Sequence, residues 1–124
     1  MKTTMRRLML VTTLLLPAGA AWADPGTFRA GAAVVDVSPT KFPVIVNGGF
    51  LQAIGHENRD PLHARGLVLD DGETRMAIVV VDSCMMPREL IDAAKAAASE
   101  KTGIPVNRML VSATHTHSAP AAMS

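Results

Sequence analysis

Arg75-Met76-Ala77-Ile78-Val79-Val80-Val81-Asp82 and, further on, Met109-Leu110-Val111-Ser112-Ala113 are the two stretches that decide how this chain folds. Both are apolar runs of strand length, and the first is apolar almost continuously, the pattern of a strand buried on both faces of a sheet. Between them, Pro87 to Thr102 sets Leu90, Ile91, Ala94, Ala97 and Ala98 at helical spacing with charged residues in the gaps. Pro87 stands near the start of that segment and Gly103 just past its end, which are helix boundary signals. Strand, helix and strand in this order form a crossover, so the two strands lie parallel with a right-handed connection.

Upstream, Gly66-Leu67-Val68-Leu69 and the Arg75–Asp82 run flank Asp70-Asp71-Gly72-Glu73. Two apolar runs joined at an Asp-Gly step predict a β-hairpin. Ala32-Ala33-Val34-Val35-Asp36-Val37, ended by Ser38-Pro39, reads as a first strand. Phe42 to Val46 is apolar but broken by Pro43, and Asn47-Gly48-Gly49-Phe50 follows as a turn where backbone can approach another group closely, or as a plain β-turn. Leu51 to Leu62 lacks periodicity and reads as an exposed loop, with His56 in solvent. The expected class is α/β, with a mixed sheet built from a hairpin and a βαβ unit.

Residues 1–23 have the layout of an export signal: Lys2, Arg6 and Arg7, an apolar run from Leu8 to Ala20, and Ala21-Trp22-Ala23 before a cut ahead of Asp24. The run is broken by Thr12, Thr13, Pro17 and Gly19 and falls short of the about 20 residues a membrane span requires. The expected destination is secretion, the periplasm or the cell surface, with no stable span after cleavage. Cleavage removes three of 12 basic and none of 11 acidic residues, leaving nine against 11, or −2. No concentrated basic face remains, which excludes nucleic acid as the expected partner. Cys84 is the single cysteine, so export is not serving a disulfide framework, and it reads as a small buried residue. The chain ends at Ser124, directly after its most chemically loaded segment and with no closing element, and so reads as interrupted.

In the parallel arrangement, Asp82 and Thr114-His115-Thr116-His117-Ser118 leave the sheet on one edge, and ligands in such sheets bind outside the carboxyl ends of the strands. His115 and His117, spaced by two, point to the same side if the segment is extended. Neutral imidazole is the commonest metal ligand, so the pair is a candidate metal site, with strand-end structural histidines as the alternative. Asp82 either orients a metal-bound histidine or caps its own turn. Thr116 and Ser118 either bond a substrate or satisfy the loop backbone. His63 has no sequence partner and reads as structural.

Ala113-Thr114-His115-Thr116-His117-Ser118-Ala119-Pro120 resembles the Thr-His-Thr-His-Ser-Gly-Pro signature of the neutral/alkaline non-lysosomal ceramidases. The first strand with its Ala-Xaa-Xaa-Asp, the Gly49-Phe50 step where that family has Gly-Tyr, and the hairpin leading to a strand that ends in Asp are also similar, so that the resemblance runs over nearly all of Phe28 to Pro120. It implies a secreted zinc amidase that cleaves the N-acyl bond of ceramide. Residue by residue, it implies that His115 is a zinc ligand, that His117 faces the substrate beside the metal, and that Gly49 approaches the substrate headgroup through its backbone. It assigns no catalytic acid or base here. Ala119 stands where the family has glycine, and Phe50 lacks the tyrosine hydroxyl. A second histidine, a glutamate and a tyrosine that complete the zinc sphere in that family lie later in a much longer chain. The expectation is therefore residues 24–124 as the amino-terminal part of a larger ceramidase-like catalytic domain, its single zinc site incomplete, with the remainder downstream. The substrate would be a lipid or another amide. The alternatives are a small exported binding domain without catalysis, and another metal-dependent hydrolase acting on phosphate or sulfate esters.

Overall fold

The hairpin forms at the Asp-Gly turn, where Gly72 takes a φ of 93° that glycine adopts without strain. The computed structural model describes residues 26–120 and 122; the export signal and its cut before Asp24 lie outside them. Strand β1 is Arg29–Asp36, β2 Val44–Val46, β3 Ala53–Gly55, β4 His63–Asp70, β5 Arg75–Val81 and β6 Met109–Ala113, with helix α1 at Arg88–Thr102. The main sheet runs β1-β4-β5-β6. Its first two pairings are antiparallel, and β5 with β6 is parallel, Val79 opposite Val111. This is the mixed α/β sheet with a hairpin and a βαβ unit that the sequence predicts.

Helix α1 starts after Pro87 and stops at Gly103, whose φ of 71° lets its N–H reach the Ser99 carbonyl. Its side chains Leu90, Ile91 and Ala94 look across an apolar cavity of about 380 Å³ toward Val68, Val79 and Val111. Because side chains alternate along strands, the register puts Ala77, Val79 and Val81 on this helix side and Ile78 and Val80 on the other. On that second side Val34 is 62% exposed, Leu67 38% and Leu110 58%. The expectation that β5 is buried on both faces is thereby corrected: the strand has two apolar faces, and among the described residues no second layer covers the one away from α1. The buried apolar core among the described residues is correspondingly thin, consisting of Cys84, Ile104 and Ala119.

A second correction concerns Leu51 to Leu62, which is not wholly loop. Ala53–Gly55 pairs antiparallel with Val44–Val46. Three residues containing one β-branched side chain give no readable period, and only the partner strand defines them as β structure.

Candidate functional site

The parallel pairing of β5 and β6 continues one step beyond the strands, because the Thr114 N–H donates to the Val81 carbonyl at 2.9 Å. The chain after β6 therefore departs beside Asp82, Ser83 and Cys84. The same sheet edge receives the end of β1 and the start of β4, since Asp36 pairs with His63. Beyond it, the bridge between Val46 and Pro120 and the Asn47 N–H to Ala119 carbonyl bond at 3.4 Å tie the histidine loop to β2. Held at both ends, the loop borders a crevice of about 830 Å³. Asp82, Thr116, His117 and Ser118 line its polar part, and Val44 and Ile54 its apolar part.

Asp82 is occupied within this edge. Its carboxylate accepts from the His63 N–H at 2.9 Å and from Arg65 Nη1, 2.9 Å from each oxygen. The His63 N–H, then the Arg65 guanidinium, hold its carboxyl below the usual carboxylate range. Arg65 Nη2 also donates to His63 Nδ1 at 3.2 Å, guanidinium having no acceptor. His63 thus serves as part of this brace, and His56 is exposed at the rim of the crevice.

His115 has a φ of 59°, the only non-glycine residue with positive φ among those described. An extended segment is therefore not what brings the two imidazoles together. A left-handed residue between β6 and Thr116 turns the rings onto each other, with centroids 5.1 Å apart and planes at 68°. Such backbone is sparsely populated for side chains other than Asn, Asp and His, and it collects at functional sites. His115 Nδ1 lies 2.9 Å from the Cys84 carbonyl. A carbonyl only accepts, so Nδ1 carries the proton and Nε2 keeps the lone pair a metal needs.

Gly48, at a φ of 108°, packs its backbone against His117; a Cβ there would overlap the imidazole. The close approach anticipated from the Gly48-Gly49 pair is thus made at Gly48 toward a side chain of the site. Gly49 is exposed beside it, and Phe50 projects fully into solvent. The sequence reads Cys84 as a small buried residue, which it is, but does not place it beside the histidines. Cys84 is 3% exposed and unpaired by disulfide. Its sulfur and one ring nitrogen each from His115 and His117 lie within 4.8 Å of one another, a group of side chains able to hold a metal ion. Two imidazoles and a thiol are a donor set suited to zinc.

Neither a family model nor a curated protein matches this sequence. Among solved structures, the fold matches neutral ceramidase from Pseudomonas aeruginosa with a TM-score of 0.68 and 22% identity, over 79% of this chain and 16% of that one. It also matches a ceramidase complexed with C2, with a TM-score of 0.60 and 20% identity, over 76% of this chain and 15% of that one. The chain spans about a sixth of the length of these enzymes, and at such identity the likeness is one of fold. Residues from β1 to the histidine loop thus take up a ceramidase-like α/β fold, with the chemically equipped strand ends gathered on one edge.

Proposed function

We propose that this chain is the amino-terminal part of an exported, zinc-dependent amidohydrolase that cleaves the N-acyl amide of ceramide-like lipids. The observation that carries the reading is the left-handed His115 at the end of β6, its Nε2 left free by the Cys84 carbonyl, within a ceramidase-like fold. His115 is the ligand this chain contributes. The chemistry supplied by zinc when bound is Lewis-acid polarisation of an amide carbonyl and acidification of water. His117, on the crevice wall and wedged against Gly48, faces the substrate beside that centre. Gly49 next to it presents backbone to the headgroup. Val44 and Ile54 give the crevice the apolar lining that an acyl chain requires. Asp82, on the polar part of the same crevice, is neutralised by Arg65. The open apolar face of the sheet, with Val34, Leu67 and Leu110, is where the remaining catalytic domain packs. That remainder supplies the ligands and the general base this chain lacks. Residues 1–23 direct export to the periplasm, the cell surface or the medium. Among the described residues no helix is long and apolar enough to cross a membrane.

The test is zinc content and hydrolysis of an N-acyl sphingoid lipid by the chain alone and joined to the polypeptide that follows it in its gene. The joined protein is expected to turn over substrate, and His115→Ala to abolish turnover. A joined protein that binds no zinc, or hydrolyses no amide, overturns the reading.

A further inference from the structure

We infer that the apolar cavity between α1 and the main sheet is a binding site for a long-chain fatty acid, with the Lys95 ammonium as the partner of its carboxylate. The inference goes beyond the zinc reading, which serves it only by naming a source of such an acid: hydrolysis of an N-acyl amide releases one. The cavity is separate from the crevice, since no residue lines both. Its volume of about 380 Å³ follows from the sequence of the helix. At Ala94 and Ala98, α1 carries only a methyl group opposite the valines of β4, β5 and β6, so the two layers do not close on each other. An apolar cavity of about 150 Å³ already stays dry and takes up benzene, and this one is more than twice that size.

Shape and chemistry choose the occupant. On the sheet the lining runs along β5 from Ala77 to Val81, four steps of about 3.3 Å, or about 13 Å. On the helix it runs from Leu90 to Thr102, twelve steps of about 1.5 Å, or about 18 Å. A slot of that form suits a hydrocarbon chain better than a compact ring. Met86 and Met109 line it too, and their flexible thioethers adapt to a chain lying against them. Only Lys95 and Thr102 among the lining residues have polar side chains. Thr102 is spent, because its Oγ1 donates to the Ala98 carbonyl at 2.8 Å and accepts from the Ile104 N–H at 3.2 Å. Lys95 is half-buried and enters none of the ion pairs among the described residues, whereas Arg88 on the same helix is paired with Asp92. A lysine so placed lays its methylenes along the apolar wall and keeps its ammonium in water. One unpaired cation at the opening of an otherwise apolar slot complements a monocarboxylate with a long alkyl tail, and a neutral lipid leaves that cation unanswered.

The test is titration of the joined protein with cis-parinaric acid, a fatty acid whose fluorescence rises on leaving water, followed by displacement with palmitate or with hexadecanol. One probe per chain is expected, displaced more readily by palmitate than by the uncharged alcohol. Lys95→Met keeps the stem and removes the charge. It should weaken palmitate binding about 10-fold and leave hexadecanol as in the parent, which also shows that the variant is folded. Ala94→Leu puts a side chain into the slot and should weaken both ligands by at least about 10-fold, with zinc content and amide turnover unchanged in either variant. Absence of saturable binding overturns the inference, as when polypeptide from the joined part fills the slot. Binding that neither variant changes overturns it too, since the probe then sits elsewhere, as in the crevice. A protein that hydrolyses the amide but takes up no fatty acid refutes the inference alone. One that takes up fatty acid at Lys95 without hydrolysing the amide supports the inference and refutes the zinc reading alone.

Discussion

The two ends of the main sheet each carry an aspartate bound by arginine, and they differ in what remains once those bonds are made. At the hairpin end, Asp70 accepts from Arg29 at 3.0 Å, from Arg75 at 2.8 Å and from the Gly72 N–H at 2.9 Å. The Gly72 N–H first, then Arg75, hold its carboxyl down to about 2. Every strong donor there is matched locally, two of the three coming from the turn and from the first residue of β5. At the crevice end, Asp82 consumes Arg65 and the His63 N–H in the same way, yet the Cys84 sulfur, His115 Nε2 and the His117 imidazole gather beside it, with only His115 Nδ1 bound, to the Cys84 carbonyl. A saturated charge cluster is structural; an edge with surplus donors, carried by a strained residue, is where chemistry can be placed.

The sharpest break in this contrast comes from His115→Ala, which should lower the metal affinity of the joined protein by at least about 100-fold, read by competition with a chromogenic chelator. Unchanged affinity would make the crevice end no different in kind from the hairpin end. Gly48→Ala follows: a side chain at φ of 108° and against His117 should cost about 1–3 kcal/mol in urea unfolding and move the His117 imidazole resonances. At the hairpin end, Asp70→Asn should leave metal binding untouched and flatten the acid limb of stability. A carboxyl whose folded value lies near 2, below its ordinary about 3.9, stabilises fully above the higher value and loses that contribution as pH falls through the lower. The variant should therefore be weaker at neutral pH but lose less between about pH 4 and pH 2, measured by denaturant midpoints across that range. Smallest of all is Arg29→Gln, whose guanidinium is 47% exposed; its urea midpoint should stay within error of the parent because Arg75 still holds Asp70.

What could be read from the chain was what local chemistry determines. The Asp71-Gly72 turn announced the hairpin, and the spacing of Leu90, Ile91, Ala94 and Ala98 announced α1. Parallel pairing of β5 with β6 then put Asp82 and the histidine loop on one edge as a matter of geometry. Ala53–Gly55 escaped because it is a strand only by virtue of its partner. That Cys84 and Gly48 meet the histidines escaped for a related reason: each does so across more than 30 residues of chain, through the Thr114–Val81 bond or the β2 bridge. The reversal at His115 was hidden as well, since a left-handed histidine leaves no mark in the spacing of its neighbours.

The side of the sheet left uncovered among the described residues bears on how the chain behaves toward copies of itself. Val34, Leu67 and Leu110 form an adhesive plane flanked by β1 and β6, the two lateral strands of the sheet. Sheets with apolar faces and free lateral strands are templates for stacking on copies of themselves. A sheet with this face uncovered partitions between burial of the plane and self-association, and a holding chaperone that shields it shifts that partition.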